Sequence, residues 1–240
     1  MPRFFVPDLA AETAVLSGED GRHLVRSLRC RAGDTVELCD GRGTDGLGVV
    51  AAIDGDAVTV VIRDRRPSRS ELPCRVVLYQ ALPKGDKLDF IVQKAVELGV
   101  WAVVPVLTSR CISRPDGRGM AGKLSRLQKI AREAAGQSGR GALPEVRPLL
   151  AFSDAIAEMK ASPCPILFYE GGGQPLGRVL AHRPGALSLL VGPEGGFSPQ
   201  EAQQAQAAGL AVCTMGPRIL RCETAPLYAL SAIGFFYENQ

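Results

Sequence analysis

The chain is 240 residues long, 46% hydrophobic and 22% charged, with a formal net charge of +3. That is enough apolar chain for one large domain or two modest ones, and it excludes a disordered or fibrous protein. No apolar run approaches the roughly 18 residues of a membrane span, and Met1-Pro2-Arg3-Phe4-Phe5 lacks the longer apolar core of a signal peptide, so a cytoplasmic protein with no membrane partner is expected.

In chain order, residues 1–70 carry short β-branched runs at 36–39, 48–53 and 57–62, separated by Asp-Gly turns at Asp40-Gly41, Asp45-Gly46 and Asp54-Gly55. This pattern predicts a small β-barrel. One amphipathic helix interrupts it, with Leu24, Val25 and Leu28 on one side and Arg22, Arg26 and Arg29 on the other. The polar stretch before Pro73 sets a domain boundary near residue 70. Over 71–240 strands (75–82, 101–107, 165–169, 186–191, 211–215) alternate with helices (84–98, 121–135, 199–208, 224–237). The expected fold is α/β, a largely parallel sheet covered by helices on both faces.

Basic residues fall in three zones: Arg22, Arg26, Arg29 and Arg31 around His23; Arg63, Arg65, Arg66 and Arg69; and a longer run from Arg110 to Arg140 diluted by only Asp116 and Glu133. A guanidinium grips phosphate with two parallel hydrogen bonds, so these zones point to a polyanion partner, with plain solvated surface as the alternative for any one of them. Seven cysteines without a Cys-x-x-Cys pair, beside only two histidines, offer no zinc framework, and no metal is expected.

Two loops near the carboxyl terminus carry the strongest chemical signal: Gly192-Pro193-Glu194-Gly195-Gly196-Phe197-Ser198 and Met215-Gly216-Pro217-Arg218-Ile219-Leu220-Arg221-Cys222-Glu223-Thr224-Ala225. Each follows a predicted strand and opens a predicted helix. Loops at the carboxyl ends of parallel strands are where small residues let backbone amides reach a nucleotide-like ligand. Ser198, Pro199 and Glu201 read as a capping box with proline at the first helical position. The first loop has neither the Lys-Ser/Thr of a Walker loop nor the Gly-x-Gly-x-x-Gly fingerprint. A phosphate-free ligand, one carrying positive charge that suits Glu194, is therefore favoured over phosphate cradling; a simple strand-to-helix turn is the plain alternative.

With these motifs in hand, the chain resembles the ribosomal RNA small subunit methyltransferase E family, of the SPOUT class of knotted methyltransferases. The resemblance rests on Pro2-Arg3-Phe4-Phe5, His23 to Arg29, Pro83-Lys84-Gly85-Asp86-Lys87, Gln93 to Val100, Gln128 to Ala135, Gln137-Ser138-Gly139-Arg140 and the two loops. It implies a PUA-like RNA-binding barrel over 1–70, and over 71–240 a SPOUT α/β domain with a carboxyl-terminal trefoil knot. It implies a homodimer that transfers a methyl group from S-adenosyl-L-methionine to N3 of a uridine in the decoding region of 16S rRNA, in the small ribosomal subunit. Another RNA target within the class, or a non-catalytic RNA-binding assembly factor, are the competing readings. Cys222 departs from the threonine usual in the family, and Gly136 from glutamate.

The implied cofactor residues are Gly192, Glu194, Gly195, Gly196, Met215, Gly216, Ile219 and Leu220, with Leu167, Phe168 and Tyr169 ending a neighbouring strand. Uracil N3 is nucleophilic as the imide anion, whose charge spreads over two carbonyl oxygens. Arg221 is the expected stabiliser of that charge, and Glu223 either accepts the proton or orients Arg221. RNA contacts are expected from Arg3, His23, Arg26, Arg29, Lys84, Arg110, Arg132, Gln137 and Arg140.

Overall fold

The computed structural model describes residues 3–239; Met1, Pro2 of the amino-terminal motif, and Gln240 lie outside them. The chain divides into two compact units, Met1–Glu71 with Ala135–Leu143, and Leu72–Ala134 with Pro144–Gln240.

The first unit is built on five strands, β1 (Arg3–Phe5), β2 (Thr13–Leu16), β3 (Thr35–Cys39), β4 (Thr44–Asp54) and β5 (Ala57–Pro67). They hydrogen-bond in the order β1-β3-β4-β5-β2, with β1 parallel to β3 and the other pairs antiparallel. Alternation puts one residue in two inward, so Phe4, Leu16, Val36, Leu38, Val50, Val58, Val60 and Ile62 meet in one core. A short helix, α1 (Gly18–Arg22), runs on as a π-helical turn, His23–Ser27, and adds Leu24 to that core.

Two expectations change here. Leu28 is exposed, because the helix ends before it and Arg29 takes a positive φ of 53°. Asp45-Gly46 is no turn: both residues lie inside β4, paired with Arg66 and Arg65. The buried Asp45 carboxylate instead receives the Arg3 guanidinium at 2.8 Å.

The segment Ala135–Leu143 belongs to the first unit through a second buried ion pair. Arg140, 2% exposed, donates to Glu71 at 2.6 and 3.0 Å, and the Glu71 carboxylate also accepts the Gly141 and Ala142 N–H groups. Burial pushes the Glu71 carboxyl up, but Arg140 and the two amides outweigh it and hold it below the usual carboxylate range. A group lowered in this way stabilises the fold above its ordinary pKa, and the stabilisation is lost as pH falls through the folded value. Glu71→Gln takes the Glu71 charge away from the buried Arg140. It is expected to cost about 3–5 kcal/mol at neutral pH, and to flatten the acid limb of the stability curve. Urea unfolding between neutrality and mild acid checks this; an acid limb as steep as that of the parent protein would refute it.

The second unit is an eight-stranded sheet, parallel throughout: β6 (Arg75–Ala81), β7 (Ala102–Leu107), β8 (Glu145–Val146), β9 (Leu150–Ala151), β10 (Pro165–Phe168), β11 (Gln174–Pro175), β12 (Ala186–Val191) and β13 (Ala211–Thr214). The order is β11-β13-β10-β12-β6-β7-β8, with β9 beside β7. Its helices are α2 (Lys87–Glu97), α3 (Gly117–Gln137), α4 (Phe152–Met159), α5 (Leu176–Leu180), α6 (Pro199–Ala207) and α7 (Thr224–Glu238). Val104, Tyr79, Leu190, Leu167 and Val212 stand side by side across five strands. Phe152, Ala155 and Met159 of α4, with Ala202 and Ala205 of α6, cover that row. Strand alternation sends Leu78, Val103, Ile166 and Leu189, all fully buried, to the opposite face; α2 and α7 pack against each other.

Candidate active site

Strands β13, β10, β12 and β6 are consecutive neighbours, and their carboxyl ends point the same way because every pairing is parallel. The segments that leave them line one cavity of ≈ 520 Å³: Phe168, Tyr169 and Glu170 after β10, Val191 to Phe197 after β12, Thr214 to Cys222 after β13, and Lys87 after β6. Ligand sites of open α/β sheets form at this edge. The two loops singled out in the sequence thus come together, although their strands are separated by β10.

The first loop is pinned along its length. Gln80, buried on β6, donates to the Gly192 carbonyl at 3.3 Å. Glu194 accepts the Lys84 N–H at 3.1 Å and the Lys87 ammonium at 3.0 Å. The Gly196 N–H returns to the Pro193 carbonyl at 2.9 Å, which requires a turn with φ +62° at Gly196, a conformation that glycine adopts without strain. Phe197, 1% exposed, anchors the loop in the core beside Phe152. Ser198 caps α6, and Glu201 completes the expected capping box. Glu201 also accepts the Ser109 N–H and hydroxyl at 2.8 and 2.9 Å, which fixes the start of α6 to the end of β7.

The second loop is more open. Gly216, at φ +96°, is held by Thr214 Oγ1 at 3.2 Å, while Ile219 is 89% exposed. The Arg221 carbonyl accepts the Thr224 and Ala225 N–H groups, which starts α7. Arg221 is exposed on the cavity wall, and among the described residues its guanidinium has no hydrogen-bond or ion-pair partner.

Between the loops lies a charge cluster centred on Lys87, whose ammonium stands 3.0 Å from Glu194 and 3.3 Å from Glu223. Hydrogen bonding to Glu194, and then to Glu223, raises the Lys87 pKa against the cost of its desolvation. Burial pushes Glu194 up, yet Lys87 and the backbone amides outweigh this and hold it low. Glu223 is held low first by the Cys222 thiol, which donates at 3.2 Å, then by its own backbone and Lys87. The Cys222 thiol is pushed up to about 12, first by burial and then by Glu223 and Glu194. It is a neutral thiol at physiological pH. Glu223 itself does not line the cavity, and its recorded partners are Lys87 and Cys222 rather than Arg221.

Of the cofactor residues expected from sequence, all but Leu167 line the cavity. The Leu167 side chain belongs to the core row under α4 and α6, one residue short of the end of β10. Lys87, Glu170 and Arg218 line the cavity and were not singled out. Lys87 lies in the Pro83-to-Lys87 motif, and Glu170 directly follows Tyr169.

The residues expected to touch RNA differ in their surroundings. Arg3 and Arg140 are engaged in ion pairs with Asp45 and Glu71, which hold the first unit together. Arg26 is exposed and grips Asp56 with two nitrogens at 2.9–3.1 Å. Arg110 lies along the first loop and donates to the Gly195 carbonyl at 2.7 Å. His23, Arg29, Lys84 and Gln137 are exposed, and Arg132 is half-buried.

Residues 70–234 match an RNA methyltransferase domain, and residues 16–63 an RNA methyltransferase PUA domain. Ribosomal RNA small subunit methyltransferase E of Bacillus subtilis is 34% identical over 232 residues, which span 94% of this chain and 91% of that protein. The crystal structure of ribosomal RNA small subunit methyltransferase E from Neisseria gonorrhoeae, bound to S-adenosylmethionine, superposes with a TM-score of 0.89 at 36% identity, covering 97% of this chain and 96% of that one. A Legionella pneumophila methyltransferase structure in complex with the same cofactor gives a TM-score of 0.86 at 29% identity over 96% of both chains. A PUA domain, a parallel α/β sheet and close relatives that match along nearly the whole chain lead to one assignment: the chain belongs to the ribosomal RNA small subunit methyltransferase E family.

Proposed function

We propose that the protein methylates N3 of a uridine in the decoding region of 16S rRNA, with S-adenosylmethionine as donor, acting in the cytoplasm on the small ribosomal subunit as a homodimer. The observation that carries this reading is the glycine-walled cavity at the carboxyl edge of four adjacent parallel strands. Its residues fit an adenosine-bearing cation: glycines expose backbone amides, Met215, Ile219 and Leu220 offer apolar surface, and no phosphate-binding motif is present. Gly192, Gly195, Gly196, Gly216, Phe168 and Tyr169 complete that wall. When bound, S-adenosylmethionine supplies a methyl group activated by its sulfonium.

The remaining chemistry falls to the chain's own residues. The exposed Arg221, without a side-chain partner among the described residues, is available to donate to the uracil carbonyl oxygens and so stabilise the imide anion at N3. Glu223, ionised and engaged by Lys87 and Cys222, is a weak proton acceptor; its environment supports a charge-balancing role over that of general base. His23, Arg26, Arg29, Lys84, Arg110, Arg132 and Gln137 are the RNA contacts of this reading, while Arg3 and Arg140 act through the fold. The exposed Tyr228 and Phe235 of α7, with Phe90 of α2, support a dimer in which a second copy covers them. The placing of β12 between β6 and β10, with β13 beyond β10, is compatible with the carboxyl-terminal threading that the family resemblance implies.

The test is methyl transfer to small subunits from cells lacking this gene, followed by location of the modified base. Label at a single uridine as N3-methyluridine is expected. Label on another base or another RNA would replace the target. No transfer, together with no S-adenosylmethionine binding by calorimetry, would leave an assembly factor.

A further inference from the structure

The cavity wall holds two carboxylates, Glu194 and Glu170, and their surroundings differ. Glu194 is neutralised: Lys87 stands 3.0 Å from its Oε1, and the Lys84 N–H donates to the same oxygen. Glu170, which leaves β10 two residues after its last strand position, has no hydrogen-bond or ion-pair partner among the described residues. Its carboxylate is directed at the first loop. A Cβ placed on Gly196 would overlap Glu170 Oε1 and stand 2.8 Å from Oε2, so both oxygens lie against the one loop residue that has positive φ and no side chain. The charges therefore sort themselves. The carboxylate that the sequence favoured as partner for a cationic ligand, Glu194, is already engaged, while the one beside it faces the same space without such a partner among the described residues.

We propose that Glu170 is a cofactor-binding residue whose carboxylate pairs with a cationic group of S-adenosylmethionine, the sulfonium or the α-ammonium. An unpaired carboxylate in a concave site of reduced dielectric attracts a cation more strongly than it would in bulk water. It also makes charge, beyond shape, a criterion of the site. The inference rests on S-adenosylmethionine being the ligand, as argued above.

The experiment is calorimetric binding to the full-length parent protein and to Glu170→Gln, which keeps the shape and removes the charge. Three ligands are used: S-adenosylmethionine, S-adenosylhomocysteine, which has the ammonium but no sulfonium, and 5′-methylthioadenosine, which has neither. Glu170 is exposed, so the variant is expected to unfold at the same temperature as its parent. S-adenosylmethionine is expected to bind about ten- to hundredfold more weakly to the variant, the scale of one unit-charge attraction near a protein surface, and 5′-methylthioadenosine equally well. A loss confined to S-adenosylmethionine identifies the sulfonium as the partner; a loss shared with S-adenosylhomocysteine identifies the ammonium. Unchanged S-adenosylmethionine affinity overturns the proposal. So does a loss of equal size for all three ligands, because it would report pocket shape. A parent protein that binds none of them would remove the cofactor reading itself, and this proposal with it.

Discussion

Arg221→Ala is expected to lower single-turnover methyl transfer by about 10² to 10³, the range seen when one well-placed electrostatic donor is removed, while S-adenosylmethionine binding stays close to that of the parent. The structural reason is that Arg221 has no internal work: its guanidinium is exposed at the cavity wall, and among the described residues it has no partner to lose. Only its backbone carbonyl contributes to the fold, through the Thr224 and Ala225 N–H groups that start α7, and alanine retains it. A substitution of this kind should move the rate and leave the unfolding midpoint unchanged. Turnover like that of the parent would sink the assignment, and equal losses in cofactor affinity and rate would move Arg221 from catalysis to cofactor binding.

Gly196→Val is expected to abolish measurable cofactor binding, an effect of at least about a hundredfold, for two independent reasons. A β-branched residue at φ +62° is strained wherever it sits, and the new side chain would overlap the Glu170 carboxylate. Relief of the strain rearranges the turn closed by the Gly196 N–H and the Pro193 carbonyl, and relief of the overlap swings the exposed Glu170 carboxylate out of its place beside the loop. Gly195→Val is the internal control. Gly195 has no positive φ, and a Cβ there would stand 3.3 Å from the Arg110 Cβ, a contact that a shift of a few tenths of an ångström relieves. A much smaller loss is expected there. Calorimetry on the two variants, with thermal unfolding to verify the fold, checks the order; a stronger effect at Gly195 than at Gly196 would contradict the geometry.

What was legible in the sequence was local. Ser198, Pro199 and Glu201 announce the start of α6 because a capping box acts across three residues, and it forms as expected. The apolar runs of β6, β7, β10 and β12 read as buried strands because both faces of a parallel sheet are covered. The shortest elements were not legible. Strands β8, β9 and β11 have two residues each, and α4 begins without a capping side chain, so neither periodicity nor punctuation marks them.

The candidate site divides along the same line. Both glycine loops, their place after strands and their lack of a phosphate motif were determined by the sequence alone, because turn conformation depends on which residues lack a side chain. The ionic partnerships were decided only by tertiary structure. Arg3 meets Asp45 across 42 positions, Arg140 meets Glu71 across 69, and Lys87 meets Glu194 across 107. Seen as a string, Arg3 and Arg140 are arginines expected to touch RNA, and Glu194 is a charge in search of a cation. In the fold the first two are buried counterions and the third is already paired, while Glu170 and Arg221 are left open on the cavity wall. The physical reason is that a charge acts through space over a few ångströms, and which charges come within that distance is set by strand order and loop path, quantities that no local pattern encodes.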